Sequence, residues 1–527
     1  MREILYIQAG TFANYVGTHF WNTQEAYFTY AEEDEPFVCH DISFREGLND
    51  RGESTYCPRL LVFDRKANYG ALARTNSSLF GNEASNHAPN IWNGPVTEYK
   101  QTQVPENPYQ TQLSTDGIEE YSPESEDVRY WSDFNRVFYH PRSLHMLPDI
   151  PEWHDPQGDW TYGLEMFSQY NQDIHLMETS VRLFLEECDS FQGMQVMNDT
   201  SSFGSFTRSF LTAFQDELSH TSSMVLPLLS DSIPLRVEPA RLLHTRKIIN
   251  DAIYLRDLHE LSHLSIPIQS PNAWPSIPET SLTLDGTLYN TSALLSAHVE
   301  TVTLPLRLTG SKENLQSFPA VINGRGLRFG QLSGTFPLVL SGQNSLVTLA
   351  NPVDFSVALF KEPNTTYFGK KDVTRGLAMS SIQMYDTWVS SVASTIFKDA
   401  VITSAHLPAY PLPSSFPDFF QDKSILRSRI RNEQPPRSRG KDPLPGKTPS
   451  VTSISSLSST NEMASFFAAY AKYIEECVDR RKSGEQLSGI DDPDLLKELA
   501  NDLWTMHDGY SIDINRSPTT ENIDDDE

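Results

Sequence analysis

Features that are scarce in this sequence of 527 residues exclude several classes of protein. The four cysteines lie far apart and form no Cys-x-x-Cys pair, which excludes a disulfide scaffold and a cysteine zinc site. Uninterrupted apolar runs fall well short of the roughly 20 residues that a membrane-spanning helix needs. Basic residues are outnumbered, with 41 Lys and Arg against 69 Asp and Glu. The net charge of −28 argues against direct binding to nucleic acid, because the phosphates would be repelled.

Apolar and aromatic residues, by contrast, make up 38% and 11% of the chain, which is enough for a sizeable core. A chain of this length divides into two large domains with loose segments, or into three or four smaller ones. Residues 1–8 have neither the apolar core of a secretory signal nor the Arg-rich, acid-poor composition of an organellar presequence. We therefore expect a protein of the cytosol or of the cytosolic side of an organelle.

The first twenty residues predict a strand, a tight turn and a helix. Residues 4–7 are apolar and read as a buried strand, and Gly10 provides the turn. Apolar and aromatic residues then recur at helical spacing from Phe12 to Phe20. A second apolar run at residues 60–63 ends at Asp64. This order is typical of an α/β layer with a ligand crevice at the strand ends.

Composition and periodicity divide the rest of the chain into segments. Residues 302–308, 337–340 and 355–360 are short β-like runs in what we expect to be a second domain, whereas Ser, Pro and basic residues accumulate later in the chain. The predicted segments are an N-terminal α/β domain (1–270) with a partly disordered loop (about 75–128), a second α+β domain (271–425), a disordered basic Ser/Pro linker (426–460), C-terminal helices (461–510) and an acidic tail (511–527).

Three segments resemble tubulins in sequence, order and spacing. They are residues 1–10 with Asn14 and Gly17 after them, Tyr56-x-Pro58-Arg59 leading to Asp64, and Cys188-Asp189-x-Phe191-Gln192-Gly193. Two further stretches resemble the tubulin-like Misato family, including its fungal members, and the first of them is unlike tubulin. These are Trp131-Ser132-Asp133-Phe134-x-Arg136-Val137 with His140-Pro141-Arg142-Ser143, and residues 301–307.

The resemblance implies a fold and a function. The implied fold is α/β and tubulin-like, with a Rossmann-type nucleotide-binding-like domain, a smaller α+β domain and C-terminal helices. Misato-like proteins are associated with mitochondrial distribution, morphology and DNA inheritance, and in animals also with microtubule assembly. We therefore expect a non-enzymatic factor in the partitioning of mitochondria, located peripherally on their cytosolic face and in the cytoplasm. The expected partners are mitochondrial surface proteins and tubulin or its folding machinery, without direct contact to nucleic acid.

The resemblance to tubulin also implies which residues would face a nucleotide. In tubulins the strand–turn–helix at the N-terminus forms the first phosphate-side loop of a GTP site. The corresponding positions in this chain are Gln8, Gly10, Asn14, Asp64, Ser201, Ser202 and Gly204. We interpret them as a vestigial GTP site, with GTP as the candidate cofactor.

Several departures from tubulin weaken that site. In the phosphate loop, here residues 199–207, Gly204 alone remains a glycine, and Asp199 adds a negative charge. We expect the two phenylalanines of this loop to crowd a backbone that must approach phosphate. Lys66 replaces an acidic residue that lies near the metal in tubulin, and lysine cannot hold Mg²⁺ as a carboxylate does.

The acidic residue that assists hydrolysis in tubulin is also missing from the matching position of this chain. In tubulin an acidic residue of the next subunit assists hydrolysis, and the matching position here is His298, with Glu300 as the nearest acid. We therefore expect no catalytic residue, no metal ligand and no enzymatic activity. Two alternatives remain open: a GTP-binding switch or slow GTPase of the tubulin superfamily, and a tubulin-assembly cofactor.

Overall fold

A computed structural model describes most of the chain. The described residues are 2–28, 36–48, 54–72, 104–114, 122–148, 160–219, 221–235, 237, 242–275, 282–322, 326–339, 352–362, 364–396, 401–426, 449–482 and 493–511. The acidic tail from residue 512 onwards, most of the basic linker and residues 75–103 and 115–121 of the predicted loop lie outside them.

The described residues contain fifteen strands and eleven α-helices. The strands are β1 Ile4–Ala9, β2 Phe44–Leu48, β3 Ser54–Pro58, β4 Leu60–Arg65, β5 Leu144–Leu147, β6 Gly193–Asp199, β7 Ser222–Leu228, β8 Leu264–Ser265, β9 Gln331–Thr335, β10 Val353–Asp354, β11 Tyr367–Arg375, β12 Val401–Leu407, β13 Tyr410–Pro411, β14 Ser450–Val451 and β15 Ser453–Thr460. The α-helices are α1 Thr11–Glu25, α2 Pro108–Ser114, α3 Trp160–Ile174, α4 Arg182–Glu186, α5 Thr200–Glu217, α6 Leu242–Leu261, α7 Leu288–Thr303, α8 Ser317–Ile322, α9 Met379–Ile396, α10 Glu462–Lys482 and α11 Pro493–Tyr510.

The first sheet has six parallel strands in the order β5-β4-β1-β6-β7-β8. Strands β1 and β7 are buried along their whole length, and β4 and β6 are buried except at their last residue, as expected for a parallel sheet covered on both faces. Helices α3, α5, α6, α10 and α11 share a core with one face, and α1 and α7 share a core with the other. The predicted α/β class is therefore confirmed, and so are the first strand and helix.

The second sheet has five strands in the order β10-β9-β15-β11-β12. Its pairings are antiparallel except that between β11 and β12. Helix α7 packs against α1 on one side and against β15, β11 and β9 on the other, so it joins the two sheets. The two helices expected between residues 461 and 510 are α10 and α11, which pack against each other and against α6.

The predicted linker at 426–460 is wrong over its last part. Strand β15 lies at the centre of the second sheet, and each of its eight residues is buried. Its serines are small enough to pack between sheet and helices, and the hydroxyls of two of them find partners inside the protein. Ser455 Oγ lies 2.8 Å from the ring of His298, and Ser456 bonds to Asp372. A serine-rich composition therefore conceals a core strand here.

Two other expectations require correction. Within the predicted loop at 75–128, residues 108–114 form α2, and Tyr109 on this helix is buried. Residues 302–308 complete α7 and a short 3₁₀ helix instead of a strand, and residues 355–360 form turns after β10.

Among the helices of the described residues, none is both long and apolar enough to cross a bilayer.

Candidate functional site

The candidate site lies where β1, β4 and β6 end at the same edge of the first sheet. Ala9 at the end of β1 pairs with Phe63 of β4 and with Asn198 of β6. Each neighbouring strand then continues with an aspartate, so Asp64 and Asp199 flank the turn from β1 into α1. Carboxyl ends of parallel strands are the usual place for a ligand crevice in such sheets.

Asp199 closes the N-terminus of α1. Its carboxylate accepts hydrogen bonds from the backbone N–H groups of Phe12, at 2.9 Å, and Ala13, at 2.8 Å. Gly10 precedes the helix with φ of 106°, and a Cβ atom there would lie 2.6 Å from the carboxyl carbon of Asp199. Position 10 therefore requires glycine for its backbone conformation and for the space that the carboxylate takes.

The environment of Asp199 also changes its acidity. Loss of solvation raises the pKa of this carboxyl to about 7, although the two N–H groups act in the opposite direction. The neighbouring charge of Asp64 raises the pKa further. A second anion at this position would meet a carboxylate that already occupies the N–H groups of Phe12 and Ala13.

Asp64, a predicted site residue, is completely buried and enclosed by donors. It accepts from the amides of Asn14 at 3.0 Å and Asn68 at 2.7 Å, and from the indole N–H of Trp131 at 3.2 Å. Burial raises the pKa of Asp64, and these amide bonds oppose the rise. Asn14 also donates to the carbonyl of Phe63. Two of the predicted nucleotide ligands, Asn14 and Asp64, are thus bonded to each other, whereas Asn14 Oδ1 and the nearby Gln8 Nε2 are buried without a partner among the described residues.

Gln8 and Gly10 lie on the same strand–turn segment as these residues. The amide of Gln8 is buried and packs against α1 at Gly17, where a Cβ atom would collide with it. The structure therefore brings Gln8, Gly10, Asn14 and Asp64 together at one strand end, with Asp199 beside them.

The expected phosphate loop at residues 199–207 is a helix instead. Helix α5 begins at Thr200, directly after β6, so Ser201 and Ser202 lie half-buried in its first turn. Gly204 lies inside the helix, and a Cβ atom on it would be 3.4 Å from the ring of Trp160. The two phenylalanines, Phe203 and Phe206, point into the core, so they do not crowd a ligand site as expected.

A third aspartate, Asp251 on α6, was not among the predicted site residues. It accepts from the N–H of Ser230 at 3.2 Å and its hydroxyl at 2.6 Å, and also from the hydroxyl of Thr200. Burial raises the pKa of Asp251 to about 7. The sequence feature that could have identified Asp251 is its position as a single acidic residue between Ile249 and Ile253, within an apolar helix pattern.

Comparison with known proteins places the chain in a family. The family models described as Misato Segment II tubulin-like domain and Tubulin domain match residues 2–115 and 121–308. Protein misato of Drosophila melanogaster is 32% identical over an alignment of 430 residues, which covers 71% of this chain and 73% of the relative. The chain belongs to the Misato family.

Fungal relatives of this Misato-family chain are similar over a shorter stretch. Protein dml-1 of Neurospora crassa is 34% identical over 332 residues, covering 62% of this chain and 61% of the relative. Protein dml1 of Aspergillus clavatus is 36% identical over 312 residues, covering 58% and 61%. The chain thus spans about three fifths of these fungal relatives. The resemblance to the Misato family and the tubulin-like fold are confirmed.

The two residues that correspond most closely in sequence to tubulin's hydrolytic acid are buried in this Misato-family chain. His298 and Glu300 are on α7, with relative exposures of 1% and 0%. Burial lowers the pKa of His298 to about 3, so the ring stays neutral. Glu300 accepts from the guanidinium of Arg375 at 2.8 Å, and the side chain of Arg307 is 3.5 Å away. Both side chains are therefore committed to contacts within this chain.

Proposed function

We propose that this Misato-family chain is a non-enzymatic, tubulin-like factor in the distribution and inheritance of mitochondria. It acts at the cytosolic face of the organelle and in the cytoplasm, through contacts with other proteins. Family membership and the resemblance of its motifs support the mitochondrial role. The absence of catalysis is proposed from the arrangement of the site.

One observation carries the non-enzymatic part of the proposal. Polymer-activated hydrolysis of the tubulin kind needs an acid that one subunit presents to the nucleotide of the next. Here Glu300, the nearest acid, is fully buried against Arg375, and His298 at the matching position is buried against β15. Releasing Glu300 would leave the Arg375 charge buried without a partner, which is strongly unfavourable.

The proposed partners are proteins of the mitochondrial surface and tubulin or its folding machinery. The net charge of −28 favours partners that present basic surfaces and disfavours direct contact with the DNA of the organelle. The link to inheritance of mitochondrial DNA would then be indirect, through movement of the organelle itself.

The cellular test replaces the Misato-family protein of a fungal host with this chain. Depletion of the host protein should distort mitochondrial distribution, and the wild-type chain should restore it. The double variant Ser201→Ala, Ser202→Ala should restore it equally, because these hydroxyls serve no nucleotide in the proposed role. Failure of the double variant at normal protein levels would contradict a nucleotide-independent role.

The biochemical test uses the purified full chain with GTP. At about 1 mM, a site with a Kd of about 10 µM would stabilise the protein by about 2.7 kcal/mol. We expect no change in Tm and no release of phosphate. A saturable rise in Tm that disappears in Asn14→Ala would instead establish a GTP switch. Co-purification with tubulin-folding machinery, with mitochondria unaffected by depletion, would favour a tubulin-assembly cofactor.

A further inference from the structure

We propose that the Asp199 carboxylate is a built-in substitute for the nucleotide phosphate, which holds the end of β6 against α1 and keeps the candidate site closed. This inference rests on the proposed function, in which the site holds no nucleotide. It adds that the domain has become independent of an anionic ligand because one of its own side chains provides the anion.

The donors that Asp199 engages are the ones that a helix offers to an anion. The first N–H groups of a helix lack partners within it, and the helix dipole favours negative charge at this end. Asp199 accepts from two of them, Phe12 N and Ala13 N, at 2.9 and 2.8 Å. Such short contacts to a carboxylate are typical of charge-assisted hydrogen bonds.

Nearby residues of α1 provide no other anion. Gly10 at the N-cap has no side chain, and the first turn of α1 contains no acidic residue. The carboxylate therefore comes from Asp199, which lies 187 positions after Phe12 and 186 positions after Ala13. This contact crosses from one strand end to the neighbouring one, so it links β6 to α1 as a bound phosphate would.

Asp199 also does not cap its own helix, although its position would allow it to. It is the N-cap residue of α5, where an aspartate usually accepts from the first turn of its own helix. Its side chain makes no such bond, although the whole of α5 lies among the described residues. The carboxylate turns instead towards α1, into space that is open only because residue 10 is glycine.

Chemical rescue tests the proposal in the full chain at about pH 8.5, where Asp199, whose pKa is raised to about 7, is ionised. Asp199→Gly removes the carboxylate and leaves space for a small anion. We expect its Tm to fall by about 1 to 4 °C relative to wild type. Sodium formate or inorganic phosphate, compared with chloride at equal ionic strength, should restore at least half of that loss in a saturable manner. The wild-type Tm should be the same in formate, in phosphate and in chloride of equal ionic strength.

The matched control is Val373→Ala, which destabilises a buried position in β11 without removing a carboxylate. If formate and phosphate raise the Tm of both variants equally, the effect is a general one of salt and the proposal is wrong. An Asp199→Gly variant as stable as wild type would also overturn it. Rescue confined to Asp199→Gly supports it.

A second variant keeps the proposal testable should Asp199→Gly fail to fold. Asp199→Asn preserves the shape but removes the charge and fills the space, so anions should not rescue it. Hydrogen exchange of the Phe12 and Ala13 amides should be at least tenfold faster in this variant than in wild type; unchanged exchange contradicts the proposal. If anions do not rescue Asp199→Gly and GTP does not stabilise the wild type, this inference is wrong but the proposed function stands. If GTP binds to the wild type, both this inference and the proposed function are wrong.

Discussion

Replacing Glu300 by glutamine should destabilise the protein more than most single substitutions. Glu300 lies on α7, which joins the two sheets, and it is fully buried together with Arg375 and Arg307. One carboxylate oxygen accepts from Arg375 Nη1 at 2.8 Å. The other accepts from Gln24 Nε2 at 3.0 Å and from the hydroxyl of Tyr27 at 3.1 Å. The glutamate thus connects α1, α7 and the end of β11.

The magnitude follows from burial and charge. Glu300→Gln is nearly isosteric, so loss of packing contributes little. It leaves two buried guanidinium groups without a counter-charge, and it turns one acceptor oxygen into a donor that faces other donors. Removing one partner of a buried ion pair typically costs about 3 to 5 kcal/mol, and we expect a loss within that range.

Urea unfolding monitored by fluorescence and by circular dichroism provides the measurement. The control is Asp418→Asn, because Asp418 pairs with Lys423 at 2.7 Å and both side chains are more than half exposed. An exposed pair contributes at most about 1 kcal/mol, so this control should stay close to wild type. If Glu300→Gln also lies within about 1 kcal/mol of wild type, the ion pair does not hold the domains together and our reasoning is wrong.

Local patterns were sufficient to predict the first strand and the first helix of the site, but not helix α5, where a loop was expected. The apolar run of β1 and the helical spacing of α1 are properties of about twenty consecutive residues, and both are confirmed. The motif resemblance then placed Gln8, Gly10 and Asn14 at a strand end. These features are decided by neighbours in sequence, which is why the sequence alone sufficed.

The contacts that determine the character of the site are non-local, and local patterns cannot reveal them. Asp199 was recognised as an unfavourable charge for phosphate, but its donors lie 186 and 187 residues away. Strand β15 was hidden for the same reason, since the hydroxyl of Ser455 is satisfied by His298, 157 residues distant. Polarity in the sequence marks a loop only when no remote partner accepts or donates the hydrogen bond.

Three further substitutions examine the packing and the buried charges. Gly334→Ala should destabilise the protein by about 1 to 3 kcal/mol in urea unfolding, because a Cβ atom there collides with the His298 ring and lies 2.6 Å from the Ile454 carbonyl oxygen; a neutral effect would contradict this tight contact. Trp131→Phe should cost about 1 to 3 kcal/mol in the same assay, because Asp64 loses the indole donor at 3.2 Å; a loss below about 0.5 kcal/mol would show that water replaces it. Asp251→Asn tests pH dependence. Burial raises the pKa of Asp251 from 3.8 to about 7, so between these values the folded protein holds a proton that the unfolded chain releases. The stability that this group contributes is complete below the unfolded value and is lost as the pH rises through the folded one. Between about pH 6 and about pH 8.5, wild type should therefore lose about 1.4 kcal/mol relative to Asp251→Asn, and parallel stability profiles for the two proteins would refute the assignment.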